Sequence, residues 1–231
     1  MRLSCPVERR ALLRAAQPFT LARLSTAERT FHIFDCMAQA KSTPAQGIRS
    51  KARERLLATA SRLFYAEGIR GVGVDRVMAE ADVARGTFYR YFEGKDDLAR
   101  AYLAARDQHI RAGLVAGKEA AADAKSFLEA VARGISEEMC REGFRGCPFI
   151  NAAAEYPDQN SAVHQAVLAY REHFHEALES AFQQAGAADP QRAADEMAAL
   201  RDGAMVAAYL GDPRRAGDTL VHGVAALLAH C

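Results

Sequence analysis

The amino-acid sequence predicts an all-α protein in which a compact basic N-terminal helical unit precedes a longer acidic helical body, and three observations carry that reading. Apolar residues recur at three- and four-residue steps through most of the chain after Ser50, and no segment shows strand alternation bounded by hairpin turns. Asp189-Pro190 and Asp212-Pro213 each place a capping acid before a proline at a first helical position. Charge is also unevenly spread: net +4 over residues 1–48, +4 over 49–95 and −7 over 96–231, within an overall +1. A basic head on an acidic body favours one orientation toward a polyanion.

In chain order, residues 1–48 contain Arg2, Arg9, Arg10, Arg14, Arg23 and Arg29 with little acid, then a KSTPAQG stretch rich in breakers. Nothing before Ser50 sustains a helical or strand period. Residues 1–48 are therefore expected to be a disordered or mis-started extension, with Met37 opening the functional chain; a transit peptide or an arm touching the minor groove are the alternatives. From Ser50, a plausible cap, Leu56, Leu57, Ala60, Leu63 and Phe64 form one stripe that ends at Gly68, placed as a left-handed stop.

Val72 to Lys95, VGVDRVMAEADVARGTFYRYFEGK, reads as two short helices with a tight break. Val74, Val77, Met78 and Ala81 give the first an apolar side, and Asp75 sits in its first turn, where the helix dipole favours an anion. Asp82-Val83 interrupts the pattern. In the second helix Ala84, Phe88 and Phe92 repeat at four-residue steps as the expected buried face, while Arg85, Tyr89 and Arg90 fall on another side. Such an exposed face suits a DNA major groove, because arginine takes two acceptors on a guanine edge and Thr and Tyr hydroxyls reach phosphates. Gly86 lets backbone approach.

The run VMAEADVARGTFYRYFEGKDDL resembles the helix-turn-helix of TetR-type transcriptional repressors, whose usual form is close to IAxxAGVSxGTLYxYFxxKexL. With its flanking helices the likeness covers about residues 50–110, the motif itself lying at 73–92. Three positions depart from the pattern: Ala84 stands where a capping Ser is usual, Asp82 where Gly is usual, and Gly73 where Ser or Thr caps the first helix. The resemblance implies that Arg85, Gly86, Thr87, Tyr89, Arg90, Tyr91 and Lys95 contact a double-stranded operator. By motif position Arg85 and Tyr89 reach bases, and Thr87, Tyr91 and Lys95 hold phosphates. It also implies a homodimer and a C-terminal domain, residues 111–231, that binds a small-molecule effector.

After Glu93-Gly94, Asp96 and Asp97 open a long helix running from Lys95 to about Gly117. Asp123 to about Cys140 follows with Phe127, Leu128, Val131 and Ile135, then the loop REGFRG, a short apolar segment from Pro148 to Glu155, and a helix from Ser161 to Ala185 that stops at Gly186. The last two helices, near 190–209 and 213–229, carry stripes of Met197, Leu200, Ala204 and Ala207, then Leu220, Val224, Leu227 and Leu228. Two copies would bury these as a four-helix interface; packing within one subunit is the alternative. RGCPFINAAAEYPD, Arg145 to Asp158, is similar to one subgroup of the same regulators. Tyr102, Phe127, Phe149, Asn151, Tyr170 and Phe174 are the candidate lining of an effector cavity.

Enzyme chemistry finds little support. Glu172-x-x-His175 has the spacing of a di-iron ligand pair, yet no second copy exists, and His173 and His175 point to nearly opposite sides of a helix. No G-x-S-x-G, P-loop or dinucleotide fingerprint is present. The five cysteines form no C-x-x-C pair, so a reducing cytoplasm is expected; Cys140 and Cys147 flank the Gly-containing loop and are either a redox switch or buried, inert thiols. No run is long enough to span a membrane. The sequence thus predicts a cytoplasmic, dimeric, ligand-released repressor with no cofactor and no metal. A regulator without a ligand and a metal-dependent helical enzyme are the alternatives.

Overall fold

The computed structural model describes residues 44–231, with side chains from Lys51 onward, and within them the chain forms nine helices and no strand. These are α1 (Pro44–Glu67), α2 (Val74–Glu80), α3 (Arg85–Phe88), α4 (Lys95–Ala120), α5 (Ala124–Met139), α6 (Pro148–Glu155), α7 (Ala162–Ala185), α8 (Pro190–Leu210) and α9 (Pro213–Leu228). The extension expected before Ser50 lies outside the described residues up to position 43. Helix α1 begins at Pro44, ahead of the cap expected at Ser50. A proline at the first helical position forgoes no hydrogen bond.

Several helix ends are set by the residues the sequence marks. Asp123, Ser161, Asp189 and Asp212 each accept from a backbone N–H of the first turn. Gly68 (φ 85°) and Gly186 (φ 90°) take the left-handed conformation that releases the chain from α1 and α7. The long helix α4 runs three residues past Gly117, which is buried against Phe127 and introduces no break.

The head is built on Leu56, Leu63 and Phe64 of α1, Val77 and Met78 of α2, Phe88, Phe92, and Leu98 and Tyr102 of α4, all buried. Ala84 is not part of this face. It caps α3 from the surface, and Val83 takes the buried place, because Asp82 turns the chain with φ 51° one residue earlier than a continuous helical period assumes. Helix α3 is accordingly a single regular turn, extended by the bonds Tyr91 N–H to Phe88 O and Phe92 N–H to Phe88 O.

In the body, α9 lies against α5 and α8, and α7 against α4, α5, α6 and α8. Close approach depends on glycine: a Cβ on Gly217 would lie 2.1 Å from Ser136 Oγ, and one on Gly223 would lie 2.9 Å from Leu200. The terminal stripes divide between two surfaces. Met197, Leu220, Val224 and Leu228 are buried within the subunit, which corrects their assignment to an intersubunit face. Leu200, Ala204, Ala207 and Leu227 line a groove of about 800 Å³ between α8 and α9, Ala204 at its buried floor.

Candidate nucleic-acid interface and effector cavity

Of the residues expected to meet DNA, four are exposed, and Thr87, Tyr91 and Lys95 are half-buried. Phe88 and Phe92 anchor the segment from below, and between and around them Arg85, Gly86, Tyr89 and Arg90 are exposed. Tyr89 packs edge-on against Phe88, with centroids 5.1 Å apart, and the Arg85 guanidinium sits 5.7 Å from the Tyr89 ring. Arg85 also pairs with Asp75 at 3.6 Å, and Arg90 lies over Tyr91. A large aromatic side chain left half exposed beside two arginines suits a base edge and flanking phosphates better than bulk water. Apart from its own helix backbone and chain neighbours, no heavy atom stands within 4 Å of where a Gly86 Cβ would be, so the outer side of the backbone there is open space. Thr87 is half-buried. Lys95 is half-buried too, and one N–H of its ammonium is committed to Arg70 O at 2.9 Å, an engagement the sequence did not suggest.

The remaining contacts tie this surface to the body. Glu155, the last residue of α6, accepts from the N–H groups of Ile69 (2.9 Å) and Arg70 (2.5 Å) in the turn after α1. Charge-assisted bonds of this kind are among the stronger ones available to a carboxylate. Tyr156 donates its hydroxyl to Asp96 at the start of α4 (2.8 Å). Tyr65 of α1 donates to Gly146 O (3.0 Å) and accepts from Arg145 N–H (2.9 Å). Burial pushes the pKa of Tyr65 and of Tyr156 up, so both act as neutral hydroxyls.

The candidate effector residues are only partly brought together. Phe149 and Tyr170 stack with centroids 3.6 Å apart, and Phe174 continues the stack at 5.9 Å from Tyr170. Tyr170 and Phe174 line a cleft of about 480 Å³ between α7 and α8. Tyr102 is buried edge-on against Phe64. Phe127 stands apart, beside Gly117, fifteen residues or roughly 22 Å along α4 from Tyr102. Asn151 braces the loop before α6 by donating to Arg145 O at 2.8 Å.

Arg201 was missed. It is 4% exposed, the only charged residue buried to this degree among those described, and its guanidinium lies 5.8 Å from the Tyr170 ring and 5.4 Å from that of Phe174. It donates to Asp202 (2.5 Å) and to Cys147 Sγ (3.3 Å). A signal for it existed, since Arg201 falls in step with Ala194, Met197, Ala204 and Ala208 on the buried stripe of α8. Cys147 and Cys231 are free thiols, with Cys147 buried. His175 meets Asp195 at 2.9 Å.

Comparison with known proteins finds two matching segments of the chain. Residues 56–102 match the family model of bacterial regulatory proteins of the tetR family, and residues 124–223 match that of the tetracyclin repressor-like C-terminal domain. The crystal structure of a TetR-family transcriptional regulator from Streptomyces coelicolor is 48% identical, with a TM-score of 0.75 over 78% of this chain and 95% of that one. A putative regulator from Streptomyces avermitilis is 26% identical, with a TM-score of 0.68 over 76% and 97%. The transcriptional regulator LmrA of Bacillus subtilis is 29% identical over 124 residues, which is 52% of this chain and 66% of LmrA, just under two thirds of its length.

Proposed function

Since the chain belongs to the TetR family of transcriptional regulators, we propose that it is a repressor that dimerises through α8 and α9, holds a palindromic operator with its two heads, and leaves it when a small molecule occupies the body. The observation that carries the DNA-binding part is the exposed Arg85–Tyr89–Arg90 surface on its buried Phe88–Phe92 base. Arg85 and Tyr89 read base edges; Thr87, Tyr91 and Lys95 hold phosphates, Lys95 with the N–H groups not given to Arg70. Gly86 allows the approach, and Arg90 adds charge beside it. The groove between α8 and α9, with Val206, Tyr209 and Leu210 exposed near the end of α8, favours a second copy of this chain as its cover. No helix among the described residues is long and apolar enough to cross a membrane, and a repressor works in the cytoplasm where the operator is.

Coupling follows from the clamp on the head. The effector body, residues 111–231, reaches residues 50–110 through Glu155, Tyr156 and the Tyr65 bonds, and α4 passes through both. A ligand that displaces α6, or the Tyr102–Ile110 stretch of α4, moves the turn at Ile69–Arg70 and the start of α4 together. The two heads then no longer match half-sites spaced by the turn of DNA.

The test begins by sequencing the DNA that the purified protein retains and then measuring affinity for the recovered site across a salt series. Arg85→Ala is expected to cost about 1–3 kcal/mol and relax preference at one base pair per half-site, whereas Lys95→Ala weakens all sequences alike and lowers the salt slope by about one. Equal, sequence-independent losses for both would overturn the assignment.

A further inference from the structure

We propose that the effector is a small aromatic carboxylate, its anionic end held between Arg106 and Arg201 and its ring in the place now occupied by Phe144. This rests on the reading that the body binds an effector and adds the chemistry of that effector. Arg106 and Arg201 both line a cavity of about 20 Å³, whose wall also includes Phe144, Tyr65 and Glu138. That volume holds little more than one water, yet two cations face it against one carboxylate. Glu138 is already paired with Arg141 at 3.2 Å, so it does not cancel either arginine in full. Arg201 has Asp202 on one amino group and Cys147 Sγ on the other. Asp202 is shared with Arg171, 2.7 Å away, which leaves this trio with one positive charge in excess.

The second observation is Arg106. Its guanidinium rests 5.4 Å from the Tyr65 ring, and its Nε is buried without a hydrogen-bond acceptor. A buried donor with no acceptor costs on the order of 1–3 kcal/mol, and a carboxylate supplied from outside would remove that cost. Planar, bidentate recognition of carboxylate is also what a guanidinium does best.

Access is provided by the loop. Phe144 is half-buried on a segment whose Gly143 and Gly146 have φ of 77° and 80°, a conformation other residues rarely hold. A ring replacing Phe144 would displace the strand of loop that Tyr65 grips through Gly146 O and Arg145 N–H. The anion would at the same time draw Arg106 away from the Tyr65 ring. Ligand occupancy and the joint between body and head therefore compete for the same tyrosine.

The experiment is calorimetric titration of the full-length dimer with benzoate and with its uncharged counterpart benzamide, repeated on Arg106→Gln, Arg201→Gln and Phe144→Ala. Benzoate is expected to bind, benzamide to bind at least tenfold more weakly, and each arginine variant to lose about ten- to a hundredfold in benzoate affinity, the range for losing a charged hydrogen-bond donor. Should Arg201→Gln fail to fold, Arg106→Gln, part-exposed and outside the Asp202 pairing, carries the test alone. Phe144→Ala is expected to bind benzoate more tightly. Equal binding of the acid and the amide, or benzoate binding untouched by Arg106→Gln, would overturn the proposal. So would a protein that binds its recovered operator normally but takes up no benzoate; loss of operator recognition itself would instead count against the regulatory reading.

Discussion

From Lys51 to Glu93 every charged side chain is exposed, and the head's interior is apolar; in the body Arg201 is buried among Tyr170, Phe174 and Cys147, and on α4, which joins the two, Arg106 is half-buried with a donor left over. The head's ion pairs, Arg62 with Glu80 and Arg76 with Glu67 and Glu80, lie at the surface, where solvent screens them. Its shape is therefore fixed by Phe88, Phe92 and their neighbours, and its charges are free to face a polyanion. The body hides a charge that hydrophobic packing alone would not call for, and a buried cation is costly unless something uses it. The contrast separates a region whose charges all lie at the surface from one that keeps a charge inside.

The largest expected effect breaks the head alone. Phe88→Ala removes a fully buried ring and should cost about 3–5 kcal/mol, abolishing operator binding while amide exchange in α5, α7 and α9 stays slow. Uniform loss of protection across both regions would show that head and body unfold as one unit. Next is Gly217→Val, which places a side chain onto Ser136 where even a Cβ would be 2.1 Å from Oγ. About 1–3 kcal/mol of destabilisation is expected, read as a lower thermal midpoint, with protection in α1 and α2 unchanged. A smaller and opposite effect is expected from Ala84→Ser. Residue 84 caps α3 without a side-chain bond, and a hydroxyl there should stabilise the head by about 1 kcal/mol on denaturant unfolding.

These sites also show what the sequence made legible. The helix ends of the body were marked by their caps, because an Asp or Ser before an apolar run and a glycine after it act within one turn. The buried Phe88–Phe92 base of the exposed arginine segment was legible for the same reason, since its four-residue step is a local helical period. Ala84 was misplaced because a helical period carried through the break ignores the left-handed Asp82. Glu155 reaches Ile69 across 86 positions and Tyr65 reaches Gly146 across 81, contacts that no local pattern records. Arg201 lay between, since its stripe was visible while the aromatic faces that receive it come from another helix.

The smallest effect is in pH. In the head, hydrogen bonding to Arg76 lowers the pKa of Glu67, and hydrogen bonding to Arg62 lowers that of Glu80, from 4.5. Their contribution is present above that value and is lost as pH falls through the lower folded pKa. On α4, where it passes into the body, burial and then the charge of Arg106 lower the pKa of His109 from 6.5, so the unfolded chain takes up the proton first and stability falls as pH drops below 6.5. Hydrogen exchange followed from pH 7 to 4 should show α4 and α5 near His109 loosening before α1 and α2; simultaneous loosening would remove this distinction.

The account stands most directly on the contact between the two regions. Glu155→Ala removes the acceptor of the Ile69 and Arg70 amides without touching the recognition surface or the head's core. Measured against the recovered operator, the account predicts faster exchange at those two amides and an affinity lower by about tenfold, because heads no longer held at one spacing must be ordered on binding. Faster exchange at Ile69 and Arg70 with operator affinity unchanged would show that the body does not set the position of the heads.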